Sequence, residues 1–215
     1  MPKREKNLKR YLSVVYSFPM PLVKHFLDLY GEDETEKLLS FFNSERYTDV
    51  TVNTKKITRK SLMKLFCDAV PNLEILEDCD TGMGIRIKGS VNPRVLPGFD
   101  EGFFFVQDKA SLVSCEALGV KAGDLVVDTC SAPGGKSFAA AIAMEGTGSV
   151  TACDIHAHKI PIIENGARRL GFDNITALQQ DASVGREEWI GAMDAVIADV
   201  PCSGYGIIRK KPDIR

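Results

Sequence analysis

An α/β fold, with a parallel sheet between helices and a smaller α+β domain ahead of it, is what this chain predicts. Three observations lead there. From residue 103 onward, short apolar runs alternate with helix-like stretches, the grammar of parallel strands joined by crossover helices. Two of those runs, "LVVD" (125–128) and "DAVIAD" (194–199), are apolar along most of their length, as strands covered on both faces are. Before residue 95 the grammar differs: two helices, then a βαββ pattern.

In chain order, residues 1–10 carry five cations (Lys3, Arg4, Lys6, Lys9, Arg10) against Glu5, either a solvated terminus or a contact for a polyanion. Residues 19–43 read as two helices. Leu22, Phe26 and Leu29 recur at helical spacing, Gly31 stops the first, and Leu38, Leu39 and Phe42 mark the second. "TDVTVNT" (48–54) alternates as a strand does, 57–70 is an amphipathic helix, and "LEILED" and "GIRIKG" are short strands. The Pro- and Gly-rich stretch 92–102 marks a boundary, giving domains 1–95 and 96–215. Beyond it come a strand "FFFVQ", a helix "DKASLVSCEAL", the strand 125–128, a small-residue helix over 136–144, the strand "SVTAC" (149–153), a helix over 157–170 stopped by Gly171, and the strands "ITALQ" (175–179) and 194–199. Such a sheet is Rossmann-like and places ligands at the strand C-termini.

Composition excludes more than it selects. The chain has 215 residues, is 44% hydrophobic and 26% charged, and carries a formal charge of −2, with no overall signature of a polyanion partner. No apolar run approaches the ~20 residues that cross a bilayer, and no secretion signal follows the basic start. Cysteines at 67, 79, 115, 130, 153 and 202 form no C-x-x-C, which suits reduced thiols and a cytoplasmic protein. Cys153, His156 and His158 read C-x-x-H-x-H, a spacing that matches no standard structural zinc pattern, so no metal is expected.

The stretch "DTCSAPGGKS" (128–137) ends like a phosphate-binding P-loop but fails that pattern. The glycine required five places before Gly135 is Cys130, and Pro133 removes a backbone donor. Between a buried strand and a helix, the loop's N–H groups meet whatever lies at the helix N-terminus. The next strand ends at Asp154, 19 residues after Gly135, a spacing at which an acid holds ribose hydroxyls. G-x-G-x-x-G is absent, so the site suits an adenosine-type ligand bearing a carboxylate, and S-adenosylmethionine fits. Gly134, Gly135 and Lys136 would meet its carboxylate and Asp154 its ribose. Asp181, after the third strand, accepts from an adenine amino group or caps a turn. Asp199 ends the fourth strand in "ADVPCSG", where Cys202 places a thiol. A thiol there points to carbon methylation of a pyrimidine. Addition of a thiolate at C6 makes C5 of cytosine nucleophilic, and loss of the C5 proton then expels the thiol.

"VQDKASLV", "DTCSAPGGKS", "DIHAHKI" and "DVPCSGYGIIRKKPDIR" together resemble the Sun (Fmu) family of RNA 5-methylcytosine methyltransferases, most of all the bacterial enzymes of small-subunit ribosomal RNA. "YSFPMPLVKHFLDLYG" and "VTVNT" resemble the segment that precedes the family's catalytic domain. The resemblance implies a class I methyltransferase sheet, RNA as partner, and a cofactor loop of Cys130, Ser131, Ala132, Pro133, Gly134, Gly135 and Lys136, with Asp154, Asp181 and Asp199 as further contacts. It implies that Cys202 assists product release. The attacking cysteine of that family lies in a Thr-Cys-Ser on a later strand; Thr129-Cys130-Ser131 spells those letters but sits in the cofactor loop and is not assigned that role. The chain is therefore expected to stop short of the nucleophile and of a complete sheet, leaving "DAVIAD" as an edge, and to be inactive alone. Two alternatives remain open: a DNA cytosine methylase using Cys202 as nucleophile, and a non-catalytic cofactor- or RNA-binding module.

Overall fold

A computed structural model describes residues 2–76 and 81–215 of the chain. Contacts group them into two units: the residues up to Arg46 with Pro201–Arg215, and Tyr47–Val200. This grouping differs from the change of pattern near residue 95.

The first unit is helical. α1 (Leu8–Tyr16) starts where the Asn7 side chain accepts from the Arg10 N–H at 2.9 Å. It buries Leu12, an element hidden in the sequence by the surrounding cationic terminus. α2 (Met20–Phe42) is interrupted at Gly31, whose φ of 74° and ψ of −176° break the helix where a stop was expected. Leu22, Phe26, Leu39 and Phe42 turn inward as their spacing predicts, but Leu29 is 58% exposed. The tail forms two 3-10 turns, Tyr205–Ile207 and Pro212–Ile214, and places Ile208 in the same core as Leu12 and Phe26.

The second unit holds two sheets. β1 (Tyr47–Val52), α3 (Arg59–Ala69), β2 (Ile75–Leu76), β3 (Gly84–Lys88) and β4 (Phe104–Val106) build an antiparallel sheet of order β2-β3-β1-β4. Of the strand expected over "LEILED", Ile75–Leu76 is seen, and its last two residues lie outside those described, as does Cys79. "FFFVQ" was expected to open the Rossmann-like half; its strand instead pairs with β1, Thr51 opposite Phe105. Alternation explains the dual allegiance. Phe104 packs edge-on to Phe66 in the small-sheet core, while Phe105 points the other way and packs edge-on to Phe138. Fully burying a side chain of this size contributes about 1.5–3 kcal/mol, so β4 ties the two cores with both rings.

α4 (Lys109–Leu118), β5 (Leu125–Asp128), α5 (Gly135–Ala143), β6 (Ser149–Asp154), α6 (Ile160–Leu170), β7 (Ile175–Gln179) and β8 (Ala195–Ile197) form the second sheet and its helices. All pairings are parallel, in the order β7-β6-β5-β8. The third, second, first and fourth of its strands thus lie side by side, as in the methyltransferase sheet. The helix expected over 157–170 starts as a 3-10 turn at Ala157–Lys159, because Pro161 suits only the first turn of α6. β8 lies at the sheet edge with Val196 55% exposed, the edge position expected for "DAVIAD". Among the described residues no helix is long and apolar enough to cross a membrane.

Candidate cofactor site

The loop between β5 and α5 is held from below and from both sides. Asp128 ends β5 with no solvent exposure. Its carboxylate accepts from the Ser137 hydroxyl at 2.7 Å and from the Cys130 N–H at 3.3 Å. Ser137 spends its one proton there, so the 2.8 Å contact between the Ser131 and Ser137 oxygens has Ser131 as donor. On one flank the Ser131 N–H reaches the Cys153 carbonyl of β6 at 2.7 Å, and on the other the Thr129 N–H reaches the Ile197 carbonyl of β8 at 2.9 Å. The loop is therefore a fixed part of three strands. Burial pushes the Asp128 carboxyl up to about 6, against the lowering effects of Ser137, the Cys130 N–H and the Lys136 ammonium. Burial likewise pushes the Cys153 thiol up to about 11.

Gly134 is the N-cap of α5 and provides no side chain to cap it, so the first-turn N–H groups face outward at the positive end of the helix dipole. Its φ is 111°, and a Cβ there would lie 2.3 Å from the Phe138 ring. Gly134→Ala must therefore shift the ring or the loop at a backbone angle that costs about 1–3 kcal/mol for a non-glycine residue. The expected result is a Tm lower by roughly 2–12 °C in a thermal melt, at about 2–4 °C per kcal/mol for a chain of this size. An unchanged Tm would show that the turn tolerates a side chain.

The acids sit at the C-terminal edge of the sheet. Asp154, 5% exposed at the end of β6, accepts from the His156 N–H at 3.0 Å, the His156 ring at 3.1 Å and the Lys159 ammonium at 3.3 Å. Burial raises its carboxyl, but these donors outweigh it and hold it below the usual value. Oδ2 has one donor, so the group retains capacity to accept more. Asp181 follows β7 and takes the N–H and hydroxyl of Ser183 on one oxygen, Oδ1, which holds its carboxyl below the usual value. This is the turn-capping role that the sequence left open beside adenine recognition. Asp199 follows β8, is exposed, and forms an ion pair with Lys136.

Cys130, Ser131, Ala132, Pro133, Gly135, Lys136 and Asp199 line one groove, as their motif predicts. Asp154 and Asp181 lie along the same edge but outside the groove lining. Cys202 is exposed and belongs to the first unit. The same groove is lined by Gln107, Asp108, Ser111 and Asp128, to which sequence reasoning gave no role. The signal was present in "VQDKAS" and in the first letter of "DTCSAPGGKS". Gln107 is buried, accepting from the Thr51 hydroxyl at 2.8 Å, and Asp108 caps α4 through the Ala110 N–H at 3.0 Å.

Residues 115–215 match the family described as 16S rRNA methyltransferase RsmB/F. The chain is 34% identical over 208 residues to the probable ribosomal RNA small subunit methyltransferase B of Bacillus subtilis (strain 168), covering 96% of this chain and 46% of that protein. It is 29% identical to the 28S rRNA (cytosine(4447)-C(5))-methyltransferase of Homo sapiens, covering 97% of this chain and 26% of that protein. The chain thus spans about half, or less, of the length of the curated relatives it matches. Among solved structures, that of PH0851 superposes with a TM-score of 0.88 at 29% identity, over 100% of this chain and 48% of the other. NSun6 from Pyrococcus horikoshii with SFG superposes with a TM-score of 0.77 at 18% identity, over 88% and 72%, a likeness of fold.

Proposed function

From the premise that this chain belongs to the RsmB/F (Sun, Fmu) family of RNA methyltransferases, we propose that it takes part in S-adenosylmethionine-dependent methylation of cytosine C5 in RNA, with ribosomal RNA of the small subunit as substrate and the cytoplasm as its place. One observation carries the reading: an uncapped helix N-terminus behind a rigid loop, flanked by the buried carboxylates Asp128 and Asp154. That arrangement receives a carboxylate on the helix N–H groups and hydroxyls on an acid, which is the donor and acceptor set of an amino-acid nucleoside.

In this reading the N–H groups of Gly135 and Lys136 face the cofactor carboxylate. Asp154 accepts from the ribose, and Asp181 uses its second oxygen to accept from the adenine amino group. The Lys136–Asp199 ion pair closes the groove beside them. The cofactor supplies an electrophilic methyl group. Cys202 supplies the thiol that assists release of the methylated base. Transfer of a labelled methyl group from S-adenosylmethionine to small-subunit ribosomal RNA, and not to DNA of the same sequence, is the expected result in the complete protein. Label entering DNA instead would turn the assignment to the alternative that uses Cys202 as nucleophile.

Grip on RNA follows charge. Residues 55–64 carry Lys55, Lys56, Arg59, Lys60 and Lys64 and no acid, and Arg209, Lys210 and Lys211 cluster near the other end. Cations that neutralise phosphates release counterions, so a few such contacts should weaken RNA binding on the order of tenfold between 50 and 200 mM salt. Titrations of RNA at the two salt concentrations check this, and equal affinities would remove phosphate contact from the account.

A further inference from the structure

Cys202 is exposed, and no helix or strand surrounds it: Pro201–Ser203 have no regular structure. What holds this segment begins two residues later. Gly204 takes a left-handed φ of 73°, and a Cβ there would meet Ile214 at 3.3 Å, so the turn closes against the end of the tail. Tyr205 sets its ring edge-on to Phe26 of α2, centroids 6.0 Å apart at 79°. Ile208 is fully buried among α1 and α2 side chains. The Arg215 guanidinium lies 4.3 Å over the Phe18 ring and donates to the Asn43 side chain at 2.6 Å. These partners come from the first 46 residues, and the Arg215–Asn43 bond spans 172 positions of sequence.

We infer that α1 and α2 position the thiol of Cys202: the N-terminal helices form the seat of the segment that carries it, with Phe26, Tyr205 and Ile208 as positioning residues. The inference rests on the reading of Cys202 as the thiol that acts on the pyrimidine. Two residues of backbone reach roughly 7 Å, so anchoring Gly204 confines the thiol to a small volume that a free loop would leave. A thiol needed at one carbon of a bound base gains from that confinement, because misplacement of a reacting group is costly in rate.

The test uses the chain without RNA or cofactor, so its failure and that of the methylation reading are separable. Amides of Ile207, Ile208, Lys210 and Lys211 donate within the tail at 2.8 to 3.3 Å and report on its order by hydrogen exchange. Phe26→Ala should raise their exchange at least about tenfold while amides of β6 keep theirs. A nitroxide spin label on Cys202 should give a narrower, more mobile spectrum than in the parent chain, while a label on Cys67, an exposed thiol of the other unit, keeps its own. Tyr205→Ala, which removes the same ring contact from the tail side and leaves α2 intact, should reproduce both effects if Phe26→Ala disturbs the helices. Unchanged exchange in both variants would overturn the anchoring. Faster exchange with an unchanged spectrum of the Cys202 label would overturn the positioning.

Discussion

Asp154→Ala is expected to lower the affinity for S-adenosylmethionine by roughly 10–150-fold, the loss of one hydrogen bond to a charged group worth about 1.5–3 kcal/mol. The carboxylate is nearly buried, held ionised by His156 and Lys159, and fixed at the end of β6, so ribose hydroxyls would meet an oriented acceptor. Asp181→Ala should cost less, because that carboxylate is turned toward Ser183 and lies in an open turn. Calorimetric titration of both variants checks the order. Equal affinities for wild type and Asp154→Ala would remove the ribose from this strand end.

Asp128→Asn is expected to change the pH dependence of stability. In the folded chain burial raises this carboxyl from 3.8 to about 6. Between those values the folded state binds the proton that the unfolded state has released, so this group's contribution is fully present below about 3.8 and is lost as pH rises through about 6. The loss amounts to about 3 kcal/mol at the rate of 1.36 kcal/mol per pKa unit. Lys136 and Asp199 act on the same group with opposite signs and do not cancel the burial. Asparagine has no charge to bury and still accepts from Ser137 or Cys130. The stability of Asp128→Asn relative to wild type should therefore rise between pH 4 and pH 7, read from denaturant unfolding at each pH. A difference independent of pH would mean that Asp128 stays ionised throughout. The same variant weakens the tether of the loop between β5 and α5, so its affinity for S-adenosylmethionine should fall even where its fold is the more stable.

The parallel sheet was legible because its strands are short apolar runs punctuated by glycine, and the four pair in parallel as the alternation of strand and helix predicts. The turn between β5 and α5 was legible for a related reason: Gly134 occupies a backbone angle that other residues avoid, so the conformation of the turn is written in one letter. Three features were not legible. α1 turns Leu8, Tyr11, Leu12 and Tyr16 to one core at helical spacing, but the cationic stretch Lys3–Arg10 that runs into it reads as a solvated terminus. β4 belongs to the small sheet by its hydrogen bonds and to both cores by its side chains, and three aromatic letters in a row do not reveal which face each ring takes. Asp128, at the end of a strand, reads as one more polar boundary. Its role is visible only once Ser137, nine positions on, returns to it through the first turn of α5.

The central claim is that the strand–loop–helix at 125–137 is a cradle for S-adenosylmethionine and not for a nucleotide phosphate. Titrating the 215-residue chain with S-adenosylmethionine and with ATP, side by side in a calorimeter, tests it most directly. Cys130 stands where a phosphate loop needs glycine, and Pro133 lacks the N–H that a phosphate would use. The expected result is saturable binding of S-adenosylmethionine that Asp154→Ala weakens, with no heat from ATP. Binding of ATP in preference to S-adenosylmethionine would contradict it.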